Sequence, residues 1–188
     1  YHTTASPAVH KIQRGDAWAT LRAVKFQGRP AHADQLHLEL WWDGFNLAQD
    51  AGTFCYNDED WQNLLTTTLV HNSISIDNAD QMQRVGKFLW LDQAQAEWRE
   101  DEKQTKLSAS HNGYRKLGIH HQRSAFFTDE KTFQVEDLLT FTKQNHLHQI
   151  SIHWLLPDWD WTLKNDTFTI TRNTHQVEIQ TSAFFPDI

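Results

Sequence analysis

The stretch Leu36-His37-Leu38-Glu39-Leu40-Trp41-Trp42, followed at once by Asp43-Gly44, constrains this chain more than any other. Successive side chains of extended backbone point to opposite faces. Leu36, Leu38, Leu40 and Trp42 therefore share one face, and His37, Glu39 and Trp41 share the other. Asp-Gly suits a two-residue type I′ turn, whose central residues both need positive φ. The register that follows sets Trp42 against Phe45, Leu40 against Leu47 and His37 against Asp50. The apolar residues of both strands then fall on one face, and an imidazole and a carboxylate meet on the polar one.

The rest of the chain repeats this pattern in short pieces. Strands are expected at residues 17–24, 68–77, 106–111, 120–127, 132–137, 150–155, 167–171 and 176–180. Residues 87–98 read either way, because Trp90, Ala94 and Trp98 have helical spacing while Lys87 to Leu91 suits a strand. Residues 58–63 read as a loop and 97–106 as a charged, solvated connection. Short strands with no long helical pattern between them imply an all-β fold, an antiparallel β-sandwich of about ten or more strands with little helix. Seven glycines and four prolines are few for such a fold. Asn and Asp must then supply many of the turns.

A length of 188 residues suits one domain with a substantial core. Residues 1–16 are polar and read as a lead-in, leaving 17–188 as the domain. The absence of an initiator Met points to a cut through a longer protein. A net charge of −7 argues against a nucleic-acid partner. No apolar run approaches the roughly 20 residues of a membrane span. Cys55, the single cysteine, reads as a small buried apolar residue. Nine tryptophans and twelve histidines are the unusual counts. Aromatic residues fill β-sheet cores and also stack on sugars, so Trp41 and Trp61 are candidates for a carbohydrate-binding face.

His32, Asp50 and His71 are the candidate metal ligands. Two imidazoles and a carboxylate suit zinc better than calcium or magnesium, which favour all-oxygen shells. The predicted register puts His37 rather than His32 opposite Asp50, so His37 is a rival ligand. Ordinary hydrogen-bonded histidines are the other reading of the same residues. His111, Tyr114, His121 and Arg123 form a second polar group, read either as a cleft wall or as a packed tyrosine with exposed histidines. Asn165-Asp166-Thr167 fits a glycosylation acceptor, a pattern too common to carry weight.

The phrases Ala31-His32-Ala33-Asp34-Gln35-Leu36-His37-Leu38-Glu39-Leu40-Trp41, Asp50-Ala51-Gly52-Thr53 and Val70-His71-Asn72-Ser73-Ile74-Ser75-Ile76-Asp77 resemble the heparinase II/III-like family of polysaccharide lyases. Lys87-Phe88-Leu89-Trp90-Leu91, His111-Asn112-Gly113-Tyr114 and His153-Trp154-Leu155-Leu156-Pro157 extend the resemblance across most of residues 17–160. It implies an N-terminal α/α toroid, outside this chain, followed by a β-sandwich that this chain represents. It implies a structural zinc held by His32, Asp50 and His71, and an acidic polysaccharide as partner. It also implies β-elimination on uronic-acid-containing polysaccharide and a periplasmic or secreted parent. Substrate contacts are expected at Arg29, His111, Tyr114 and Arg123. The family phrase His-x-His-x-Asp reads Pro30-Ala31-His32-Ala33-Asp34 here. Proline cannot move a proton, so no catalytic residue is assigned within the chain, and the fragment is expected to be inactive alone. The alternative is a non-catalytic carbohydrate-binding or structural sandwich domain.

Overall fold

The computed structural model describes residues 8–53, 64–86, 89–103, 105–142 and 147–183. Cys55, Tyr56, the 58–63 loop with Trp61, and Lys87 and Phe88 lie outside them. The chain divides into two compact units, Tyr1–Leu156 and Pro157–Ile188. Fifteen strands and three short 3-10 turns make up the described structure, with no α-helix among the described residues.

In the first unit β1 (Val9–Arg14), β2 (Ala17–Arg22), β3 (Leu38–Trp42) and β4 (Phe45–Ala48) form one antiparallel sheet in that order. A second sheet has the order β11-β10-β9-β8, built from β8 (Ala96–Trp98), β9 (Lys106–His111), β10 (Ile119–Phe127) and β11 (Phe133–Phe141). Their inner faces share one core. Ile12, Ala19, Leu21, Leu36 and Leu38 from the first side meet Ala96, Leu107, Ala109 and Ala125 from the other. Each fully buried leucine in such a core stabilises by about 1.5–3 kcal/mol. Two smaller pairs complete the unit: β5 (Ile74–Ile76) with β12 (Ile150–Ile152), and β6 (Gln83–Gly86) with β7 (Leu89–Leu91). The sandwich expected from the sequence is thus present.

The Asp43-Gly44 hairpin forms with both residues at positive φ, 48° and 78°. Its register departs from the expected one. Trp42 faces Phe45, but a bulge sets Leu40 against Ala48 and leaves Leu47 as the extra residue. Both Leu47 and Ala48 are buried, which a bulge permits and strict alternation does not. Asn and Asp do serve as turn formers. Among the described residues, seven of the eight non-glycine positions at positive φ are Asn or Asp, and the eighth is Leu36.

Several boundaries differ from the expectation. Val9–Arg14, within the expected lead-in, is a strand paired with β2. Its only apolar residues are exposed Val9 and buried Ile12, three positions apart, so no alternation betrays it. Residues 68–73 are a 3-10 turn and bends, leaving only Ile74–Ile76 as strand. The helical spacing of Trp90, Ala94 and Trp98 is not used: Trp90 and Ala94 pack with Ala33 and Met82, while Trp98 joins the main core. Trp98 also belongs to β8, so the expected solvated connection begins later, and Asp101 organises it by accepting from the Lys103, Thr105 and Lys106 N–H groups. Trp41 stands half-buried, stacked on Trp18 across β2 and β3 with ring centroids 5.1 Å apart.

The second unit is a three-stranded meander of β13 (Asp160–Lys164), β14 (Thr167–Arg172) and β15 (His175–Gln180). Asn165 and Asp166 form the first turn, both at positive φ. That turn role accounts for the pair.

Candidate metal centre

The site is built where the chain passes from β2 to β3 and where residues 68–73 return beside it. Polar side chains fix both segments. The Gln35 amide accepts from Val24 N and donates to Val24 O and Ala94 O at 2.6–2.9 Å. Gln81 accepts from Gln35 N and donates to Gln35 O. Between them Leu36 takes φ = 59°, a conformation costly for a branched-chain residue and kept only where the surroundings enforce it. Arg22 O holds Leu36 N at 2.8 Å, and Arg123 Nη1 donates to Leu36 O at 3.0 Å. Asn72 ties the second segment in. Its N–H donates to His37 Nδ1 and its side-chain amide donates to Leu38 O and Gln49 O, while Oδ1 accepts from Leu155 N.

These bonds bring His37, Asp50 and His71 together, with His32 and Asp34 beside them. His71 is fully buried, and neither ring nitrogen has a hydrogen-bond partner among the described residues. Asp50 Oδ2 lies 3.7 Å from His71 Nδ1 and 3.3 Å from His37 Nε2. The His32 ring stacks on that of His71 with centroids 5.4 Å apart, and its Nε2 is 3.2 Å from Thr53 Oγ1. His71 is common to two sets of ligand atoms that each fit within 4.8 Å: His32, Asp34 and His71, and His37, Asp50 and His71. A cavity of about 300 Å³ opens on the group, lined by Arg22, His32, Asp34, His37, Asp50 and Thr53 among others.

The electrostatics favour neutral imidazoles. Burial, reinforced by the neighbouring His71, pushes His37 down to about 3. Burial also lowers His71. Burial alone would raise Asp50, but the Gly52 N–H bond and the adjacent imidazoles hold it below the usual carboxylate range. A partly exposed carboxylate facing buried imidazoles that carry lone pairs is a donor set for a divalent cation. The two histidines compete unequally for such an ion. Because His37 Nδ1 accepts the Asn72 N–H, the neutral ring carries its proton on Nε2, the atom that faces Asp50.

The expected His37–Asp50 approach therefore occurs, although the bulge removes the ladder pairing that predicted it. Sequence reading missed Arg22, Asp34, Thr53 and Asn72. Alternation in β2 does put Arg22 on the face of Trp18 and Thr20, but only the β2–β3 pairing shows that this face abuts His37.

A family model described as Heparinase II/III-like, C-terminal, matches residues 8–187. The chain belongs to the heparinase II/III-like C-terminal family. It is similar to a heparin-sulfate lyase of Bacteroides stercoris, 28% identical over 125 residues, 63% of this chain and 17% of that protein. Among solved structures it is similar to the heparan sulfate lyase HepC from Pedobacter heparinus, with TM-score 0.66 and 23% identity over 87% of this chain. A heparinase III, the BT4657 gene product, matches with TM-score 0.66 and 20% identity over the same share. The chain spans about a quarter of the length of each of these two structures.

In this heparinase II/III-like domain the second polar group is internal. His111, His121 and Arg123 are buried, and so is Tyr114, whose hydroxyl donates to Ile74 O at 2.8 Å. The histidines are therefore not exposed, and Tyr114 packs. Gly113 N–H donates to His111 Nδ1, so His111 Nε2–H donates to His121 Nδ1 at 3.0 Å. The His121 Nε2–H then meets Asp137 Oδ1 at 2.6 Å. Arg123 Nε and Nη2 grip the same carboxylate at 2.8 and 2.9 Å, and Nη1 reaches Asn72 O as well as Leu36 O. Burial lowers both histidines. Asp137 stays ionised and lowered because Arg123 and His121 outweigh its burial. These side chains brace the site from behind and have no surface to offer a saccharide. Arg29 is exposed and is not among the cavity-lining residues. Pro30 is buried.

Proposed function

We propose that this domain is the β-sandwich part of a polysaccharide lyase that cleaves uronic-acid-containing polysaccharide by β-elimination. It holds a structural divalent metal and forms one wall of the substrate cleft. The observation that carries the reading is His71, fully buried beside His32 and Asp50, with neither ring nitrogen hydrogen-bonded among the described residues. An imidazole in that state costs about 1–3 kcal/mol if left unsatisfied, and a cation removes the cost. His32, Asp50 and His71 would hold the ion, and two nitrogens with a carboxylate favour zinc. His37 is set apart by its proton on Nε2, 3.3 Å from Asp50 Oδ2, which leaves that atom no lone pair for the ion. The ion would tie residues 32, 50 and 71 into one rigid junction.

β-Elimination needs a base at the sugar C5, a group that neutralises the uronate, and an acid for the leaving oxygen. Pro30 removes the proton carrier that the family phrase would supply, so the chemistry falls to a partner α/α-toroid domain of the parent protein. The test is absorbance of the unsaturated product from uronic-acid polymers. The parent protein is expected to produce it and the 188-residue chain to produce none. Activity in the chain alone would overturn the division of labour.

A further inference from the structure

Arg22 is the one guanidinium lining the cavity among the described residues, and neither the fold nor the metal reading uses its outer edge. Asp34 Oδ2 forms an ion pair with the inner side of the group, 2.8 Å from Nε. The side chain remains 32% exposed, and its two terminal amino groups have no partner among the described residues. Arg22 lies close enough to His37 and His71 for its charge to depress both imidazoles. A planar fork with a free outer edge matches a carboxylate or sulfate, which it can grip with two parallel hydrogen bonds.

The charges around it set a condition. Asp34, Glu39 and Asp50 also line the cavity, so one guanidinium faces three carboxylates. An anion is repelled from that ensemble until a divalent cation offsets the excess. We propose that Arg22 is an anion subsite for the acidic group of a saccharide, and that a cation at His32, Asp50 and His71 opens it. The coupling rests on the metal reading above; the subsite itself rests on the guanidinium and the cavity. Thr20 and Thr53 hydroxyls stand in the same wall, suited to the hydroxyls of a sugar that carries the anion.

The experiment is calorimetric titration of the 188-residue chain, zinc-loaded and chelator-stripped, with glucuronate, glucose 6-sulfate and neutral glucose. The two acids distinguish a carboxylate from a sulfate receptor. The loaded chain is expected to bind at least one acid about tenfold more tightly than glucose, and to lose about tenfold when stripped. Arg22→Gln, which can still donate to Asp34, is expected to abolish the preference for the acid while changing zinc affinity less than threefold. Arg22→Lys, with charge but no fork, should fall between. Unchanged acid binding in Arg22→Gln overturns the subsite, as does a loaded chain that ignores both acids. Equal acid affinity in loaded and stripped chains overturns the coupling. Failure to take up zinc, with acid binding still lost in Arg22→Gln, supports the subsite and sinks the metal reading instead.

Discussion

Replacing Asp137 by Asn isolates what holds the back of the site. Arg123 is 0% exposed, and two of its three nitrogens depend on the Asp137 carboxylate at 2.8 and 2.9 Å. The third spans Leu36 O and Asn72 O. An amide at position 137 leaves a buried guanidinium without its counter-charge and turns an N–H₂ toward other donors. Breaking a buried pair from one side costs about 3–5 kcal/mol. Arg123→Met alone is expected to cost about as much, because it orphans two buried carbonyls as well as the carboxylate. In the Arg123→Met background, Asp137→Asn should cost less than about 1 kcal/mol, since no buried cation remains. Urea unfolding of the four chains at pH 7, followed by circular dichroism, gives the coupling, expected at about 2–4 kcal/mol. Additive effects within about 0.5 kcal/mol would refute the claim that this is one buried ion pair.

Burial also makes the metal-free chain sensitive to acid. His37 falls from its ordinary 6.5 to about 3, and His71, His111 and His121 are lowered too. Between those values the unfolded chain binds protons that the folded one refuses, so stability is full above about pH 6.5 and falls as pH drops. The slope is about 1.4 kcal/mol per pH unit for each such histidine, and His37 alone predicts a loss of about 2 kcal/mol between pH 7 and 5. A flat stability profile by urea titration over that range would contradict it. Gly113→Ala should destabilise by about 1–3 kcal/mol, because a Cβ there would sit 2.8 Å from His111 Nδ1 and 2.9 Å from Gln81 O. A thermal midpoint within a degree of wild type would show that the His111 chain can yield.

The hairpin at Asp43-Gly44 and the inward leucines were legible because turn chemistry and alternation are local. The bulge at Leu47 was not, since one added residue leaves the neighbouring apolar pattern intact. The same limit hid Arg123. It alternates with Ile119, His121 and Ala125 on the inner face of β10, and its partner Asp137 lies directly across on β11. Only the strand register reveals a buried pair where a charged residue reads as surface. Candidate ligands separated by some twenty residues were visible as residue types. Their convergence depends on Leu36 at positive φ and on the Asn72 hub, neither of which sequence spacing encodes.

The central claim is a cation held around His71, and zinc K-edge absorption on the purified chain tests it most directly. Stoichiometric zinc is expected, with two imidazole nitrogens at about 2.0–2.1 Å, oxygen in the remaining positions and no sulfur. His71→Ala should abolish retention of the metal, whereas His37→Asn should preserve the two-imidazole shell. Loss of one imidazole in His37→Asn, or a wild-type chain that holds no metal at all, would contradict it.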